Sequence, residues 1–92
     1  MTDFNVQHDP TVQKFFARVE GHEGELKYRR DGGRMEILST TVPAAIGGRG
    51  VAAQLVKTAL EFARSNGRRV KPTCSYAAAY IRRHPDYADM VD

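Results

Sequence analysis

Thr41-Val42-Pro43-Ala44-Ala45-Ile46-Gly47-Gly48-Arg49-Gly50-Val51-Ala52 is the stretch on which the fold of this chain turns. Before it the sequence reads as a strand, because Arg34 to Val42 is rich in the β-branched residues Ile37, Thr40, Thr41 and Val42. Pro43 ends that strand, since it has no N–H for a continuing ladder. After it the period becomes helical. From Arg49 to Asn66, Val51, Leu55, Ala59 and Phe62 fall on one row and Ala52, Val56, Leu60 and Ala63 on the next. So wide an apolar stripe must face a sheet, and Gly67 is placed to close the helix as a left-handed cap. The join is strand, glycine-rich loop, helix.

Working outward, Phe15 to Glu20 and Glu25 to Arg30 alternate apolar and polar residues and read as two further strands. His22 to Gly24 are expected to form the first turn and Asp31-Gly32-Gly33 the second, where glycine reaches positive φ without steric cost. A short edge strand is expected at Phe4 to His8. Beyond the long helix, Arg68 to Pro72 reads as a fourth strand. A second helix follows from Ser75 to Arg83, with Thr73 or Ser75 as N-cap and His84-Pro85 as its stop. Three antiparallel strands, a helix, a strand and a helix make an α+β domain.

With 92 residues the chain has room for one sheet and a few helices around one core, so a single domain over 1–92 is expected. One Cys cannot form an internal disulfide, and Met1-Thr2-Asp3-Phe4 has neither the basic nor the apolar region of a leader. A cytoplasmic setting is the natural expectation. Apolar runs such as Ala77-Ala78-Ala79 fall far short of the roughly 18 residues of a membrane span, so no membrane partner is expected. The formal net charge is +3, and Arg64, Arg68, Arg69, Lys71, Arg82 and Arg83 form a basic zone without acidic residues. Such a zone attracts polyanions, whether nucleic acid or a phosphorylated cofactor, or is simply a solvated face.

The loop carries chemistry of its own. A helix N-terminus exposes unpaired amides and about half a positive charge, so a phosphate there gains hydrogen bonds and field together. Gly48 and Gly50 remove side chains that would hold an anion off, and Arg49 adds a cation. By itself a glycine-rich turn before a helix is more often a plain connection. It is not a Walker loop, because no Lys-Ser or Lys-Thr pair follows its last glycine. It is not a dinucleotide fingerprint either, because Ala53 stands where another Gly is required.

Gly48-Arg49-Gly50-Val51-Ala52, after a strand ending Thr41-Val42-Pro43, resembles the acetyl-CoA pyrophosphate loop of the GNAT N-acetyltransferase superfamily, usually written Q/R-x-x-G-x-G/A. Pro72-Thr73-Cys74-Ser75-Tyr76 and Tyr80-Ile81-Arg82-Arg83-His84-Pro85-Asp86-Tyr87 look like the compact GNAT-like family of about this length, and the likeness runs from Phe15 to Val91. It implies a minimal GNAT-like fold with a splayed strand pair holding the cofactor. The amides from Gly48 to Ala52 would hold the pyrophosphate of acetyl-CoA, Thr40, Thr41 and Val42 would pair with the pantetheine arm, and Cys74 would stand at the mouth of the acyl site. Two departures stand out. Gly47 takes the place of the motif's Gln or Arg, and Ser39-Thr40-Thr41 takes the place of the usual His-Thr before Val-Pro.

The single residues carry alternatives. Cys74 is either a buried small hydrophobe or the lining thiol of an acyl site, as nucleophile or as wall. Tyr76 and Tyr80, four apart on one helix face, are either core or contacts to pantetheine or adenine. Glu36 is either a solvated strand carboxylate or a general base. His8, His22 and His84 lack ligand spacing, so no metal is expected, and His84 suits the C-terminus of the second helix. The leading expectation is acetyl-CoA-dependent N-acetyl transfer to an amine, a protein lysine or a loosely held polyamine, by direct attack or through Cys74, in a monomer. The alternatives are a small basic nucleic-acid-binding module, which lacks interleaved sheet aromatics, and an acetyl-CoA-binding domain without turnover.

Overall fold

The computed structural model describes residues 4–91, so Met1, Thr2 and Asp3, read above for a leader, lie outside the described residues. Five strands form one sheet in chain order: β1 (Gln7–Asp9), β2 (Lys14–Val19), β3 (His22–Asp31), β4 (Arg34–Thr41) and β5 (Arg69–Pro72). The first four are antiparallel, and β5 pairs parallel to β4. A parallel neighbour requires a crossover, and α1 (Val51–Ser65) supplies it. Helix α2 (Ser75–Arg83) then packs on β4, β5 and α1, and a 3-10 segment, Pro85–Met90, follows it.

The α+β architecture read from the sequence is present, with shifted boundaries. The edge strand lies at Gln7–Asp9 instead of Phe4 to His8. The first turn is Glu20-Gly21, because Val19 pairs with His22, and His22 to Gly24 are the opening residues of β3. Glu20 and Gly21 both have positive φ, 50° and 79°, the conformation that a tight two-residue hairpin requires. Glutamate seldom adopts it, so its side chain gave no turn signal. Neither Thr73 nor Ser75 caps α2. Its N-cap is Cys74, with no side-chain cap hydrogen bond, and the Thr73 hydroxyl is engaged elsewhere.

The core lies between one face of the sheet and α1. Phe15, Ala17, Val19, Leu26, Tyr28, Met35 and Ile37 meet Val51, Leu55, Val56, Ala59, Leu60 and Ala63, all buried. Burying a Leu or Val side chain contributes about 1.5–3 kcal/mol, and this stripe outweighs any surface pair. The alternate strand residues carry ion pairs instead: Lys14 to Glu23 at 3.2 Å and to Glu25 at 3.7 Å, and Arg18 to Glu23 at 3.2 Å. Exposed pairs of this kind are worth about 0–1 kcal/mol each. The 3-10 segment is tied to α1 by the Tyr87 hydroxyl, which donates to Glu61 Oε2 at 2.5 Å, and by Arg64, which donates to the Asp86 carbonyl at 2.7 Å. The Glu61 carboxylate and burial push the Tyr87 hydroxyl up to about 12.

Gly24 sets how close α1 comes to the sheet. A Cβ at this position would stand 2.8 Å from Val51 Cγ1, 3.4 Å from Val42 Cγ2 and 3.6 Å from Leu55 Cδ1. The first turn of α1 and the end of β4 therefore rest directly on the bare β3 backbone. Gly24→Ala is expected to destabilise the fold by about 1–3 kcal/mol through overpacking, read as a lower melting temperature. An unchanged or raised melting temperature contradicts this packing.

Candidate active site

β4 and β5 stay paired only from Arg34–Arg69 to Ile37–Pro72. Pro72 has no N–H, so it cannot carry the ladder further. The last link is the Cys74 N–H, which donates to the Ile37 carbonyl at 2.9 Å. Beyond it β4 runs on to Thr41 against β3 alone, while the other chain turns into α2. The register against β3 slips at the same place: Tyr28 faces Ile37 and Lys27 faces Ser39, leaving Leu38 as the extra residue, 40% exposed. A bulge bends a strand and increases its twist, which opens the strand pair. The splay expected between the third and fourth predicted strands is therefore present between β4 and β5.

The loop after β4 folds into a 3-10 turn at Ala44–Ile46, with Ile46 N–H donating to Pro43 and Gly47 N–H to Ala44, each at 3.0 Å. Ile46 is fully buried and plugs the loop into the core. Gly48 and Gly50 both adopt left-handed φ, 79° and 78°, and nothing lies within 4 Å of where either Cβ would be. The space is open, so the requirement for glycine there is backbone conformation. Helix α1 begins with Gly50 as N-cap, without a side-chain cap or an acidic residue in its first turn. The amides of Val51, Ala52 and Ala53 have no acceptor within the helix, and these residues line a cleft of about 320 Å³.

Val42, Ile46, Gly47, Gly48, Gly50, Val51, Ala52, Ala53 and Tyr76 line this cleft. Of the positions picked from the sequence, Val42, Gly47, Gly48, Gly50, Val51, Ala52 and Tyr76 come together here. Thr40 and Thr41 lie one step back along β4. Arg49 turns away to Glu20, its Nη2 donating at 2.9 Å to Oε1, and so braces the loop against the β2–β3 turn. Tyr80 is placed elsewhere: buried, with its ring stacked on His84 at 4.0 Å and tilted against Tyr87 at 6.3 Å. It packs in the core and does not line this cleft. Ile46 and Ala53 were not singled out from the sequence, where an apolar residue after Pro43 and a helical alanine carry no signal of a cleft.

Cys74 stands across the gap from β4. It is 9% exposed, and its Sγ lies 3.6 Å from the Thr40 hydroxyl, which can donate to the thiolate. Burial pushes this thiol up, but the N–H groups of Ala77 and Tyr76 at the start of α2, with the Thr40 hydroxyl, outweigh it and hold the thiol below its ordinary 9.0. Glu36 is neither a solvated carboxylate nor a free base. It is 6% exposed and accepts from Thr73 Oγ1 at 2.5 Å and Arg29 Nε at 2.7 Å. These two donors, Thr73 first, hold it below the ordinary carboxylate value of 4.5. It is a strut between β3, β4 and the start of α2. His84 Nδ1 donates to the Tyr80 carbonyl at 2.9 Å, at the end of α2 where it was expected. Among the described residues no three His, Cys, Asp or Glu side chains gather to hold a metal, and no helix is long and apolar enough to cross a membrane. The basic zone is partly spent within the protein: Arg64 pairs with Asp89 and Arg69 donates to the Val91 carbonyl.

A five-stranded sheet opened between β4 and β5, with a glycine-rich loop at the head of the crossover helix, is a GNAT-like α+β fold. Residues 14–90 match the GCN5-related N-acetyl-transferase family, and the chain belongs to it. It is similar to Protein NATD1 of Homo sapiens, 35% identical over 83 residues that cover 87% of this chain and 74% of that one. Protein NATD1 of Danio rerio is 28% identical over 95 residues, covering 98% and 86%. A GCN5-like protein from Staphylococcus aureus, solved in solution by NMR, superposes with a TM-score of 0.75 at 27% identity, over 100% of this chain and 91% of its own.

Two titrations follow from the site. The Cys74 thiol should deprotonate below 9.0 when thiolate absorbance is followed against pH, and Thr40→Val should raise that midpoint; a midpoint at or above the ordinary thiol value contradicts the arrangement. Because the folded state depresses Glu36, its contribution to stability is complete above 4.5 and is lost as pH falls through the folded value. Acid unfolding below pH 4.5 should therefore be shallower in Glu36→Gln than in the natural chain, and equal slopes would contradict that contribution.

Proposed function

We propose that this protein transfers an acetyl group from acetyl-CoA to an amine. The observation that carries the reading is the cleft itself, lined by left-handed Gly48 and Gly50, by Val51, Ala52 and Ala53 at the head of α1, whose amides lack helical acceptors, and by Val42 and Tyr76. A diphosphate fits such a cradle because several N–H donors and the helix field converge on it, with no side chain in the way. The β4 edge from Thr40 to Val42, released from β5, is then free to pair with the amides of the pantetheine arm. Tyr76, 38% exposed at the cleft wall, offers a ring face to it.

The acyl end reaches the splayed end of the β4–β5 pair, beside Thr40 and Cys74, whose side chains meet at 3.6 Å. There the backbone polarises the thioester carbonyl, and positioning does the rest. The amine nitrogen bonds to the acetyl carbon, the carbon–sulfur bond breaks, and CoA leaves as the thiol with the proton that the amine gives up. The lowered Cys74 thiol favours a second reading of the same reaction, in which the acetyl group passes first to Cys74 Sγ and then to the amine. The amine proposed is a lysine of a protein or a flexible polyamine.

Calorimetry with acetyl-CoA tests the cradle. Gly48→Val and Gly50→Val place a β-branched residue at positive φ, which costs about 1–2 kcal/mol per residue, and each should weaken binding at least tenfold while the circular dichroism spectrum is kept. Equal affinity in all three proteins overturns the reading. Mass spectrometry after incubation with acetyl-CoA and a lysine peptide reads the chemistry: an acetylated peptide supports transfer, an acetyl adduct on Cys74 supports the covalent route, and bound acetyl-CoA that is never consumed overturns the enzymatic reading.

A further inference from the structure

The opposite end of α1 holds a second cavity. The helix has 15 residues, so its ends stand roughly 20 Å apart, and this cavity is separate from the glycine cradle. Pro10, Tyr28, Arg30, Met35, Phe62 and Arg68 enclose about 70 Å³. Its walls are aromatic and apolar: Met35 and Tyr28 are buried, and Phe62 packs edge-on against His8 at 4.5 Å and Phe15 at 5.7 Å. Its rim carries two arginines on fixed backbone. The Arg30 N–H donates to Gln13 Oε1 at 2.9 Å, and the Arg68 N–H to the Ala63 carbonyl at 2.9 Å.

Most other cations near the sheet are matched by a carboxylate, as Lys14, Arg18, Arg29 and Arg49 are. The guanidinium groups of Arg30 and Arg68 make no ion pair or hydrogen bond among the described residues. Asp9, whose charge reaches Tyr28, is engaged by the Thr11 N–H at 3.0 Å and forms no ion pair with either. Both arginines act on one atom: burial raises the Tyr28 hydroxyl above its ordinary 10.0, and the positive charges of Arg30 and then Arg68 pull it back. That hydroxyl is fixed by His8 Nε2 at 2.5 Å. His8 is held below 6.5 by burial, against the raising charge of Asp9, so near neutral pH its ring is uncharged and adds no cation of its own.

We propose that this cavity is a binding site for a short-chain carboxylate of two or three carbons, its carboxylate gripped by Arg30 and Arg68 and its stem laid on Met35 and Phe62. The cavity is much smaller than the glycine-lined cleft, which suits a short apolar stem beside the two guanidinium groups. The planar fork of a guanidinium matches a carboxylate edge to edge. A phosphate dianion of similar size would press charged oxygens against the apolar floor, where desolvation is costly, whereas a methylene stem gains from the same contact.

Amide resonances of the full chain titrated with sodium propionate test the assignment, with propionamide, sodium chloride and inorganic phosphate as parallel arms. Propionate should produce saturable shifts at Tyr28, Arg30, Met35, Phe62 and Arg68, with a midpoint on the order of millimolar, as so few atoms permit. Arg30→Gln and Arg68→Gln should each raise that midpoint at least tenfold, and acetyl-CoA binding at the other end of α1 should be unchanged in both. Arg30 is exposed, so its variant keeps the test valid if the half-buried Arg68 proves necessary for folding. Propionamide or chloride acting like propionate, phosphate binding as tightly, or full affinity in Arg30→Gln overturns the site.

Discussion

The parallel ladder between β4 and β5 stops at Ile37 and Pro72, and the site depends on that stop. A proline that cannot donate, a bulge at Leu38 and one final hydrogen bond from Cys74 to Ile37 separate a pair of strands that the rest of the sheet holds together. If the ladder continued, Thr40 and Thr41 would be paired from both sides, and the gap would be filled by backbone. The separation leaves one β4 edge unsatisfied, which in a sheet this small is a cost. A ligand that supplies its own amides can offset it.

The two helices start at either side of this gap, which concentrates their fields on it. Helix α1 begins at Gly50 and α2 at Cys74, and neither N-terminus carries a side-chain cap. Omitting a cap typically costs about 1 kcal/mol, so both ends are left open where the sequence had room for Ser, Thr or Asp. At α1 the residues with open amides line the cleft; at α2 the amides of Ala77 and Tyr76 lower the Cys74 thiol. Gly24 beneath Val51, and Arg49 bridged to Glu20, hold the α1 end in place.

What the sequence made legible followed local rules. The period change at Pro43, the β-branched run before it and the two apolar rows of α1 placed the crossover and the loop to within about two residues, the usual uncertainty of a helix end. The less local features escaped. Glu20 takes a positive φ that glutamate rarely shows, so the hairpin turn was expected later in the chain than it lies. The Leu38 bulge leaves no trace in alternation, because it is a property of the pair of strands. Glu36 looked solvated because its partners Arg29 and Thr73 lie on other elements, and Arg49 looked like an anion ligand because Glu20 is remote in sequence. Tyr76 and Tyr80 share a helical row, yet packing against His84 and Tyr87 takes one into the core and leaves the other on the cleft.

A crystal structure of the full chain with coenzyme A addresses the central claim most directly. The diphosphate oxygens should lie within hydrogen-bond distance, about 2.7–3.2 Å, of amide nitrogens between Gly48 and Ala53, with the thiol end pointing toward the splayed end of the β4–β5 pair beside Thr40 and Cys74. A diphosphate bound away from the head of α1, or a pantetheine arm that leaves the β4 edge unpaired, would contradict the account.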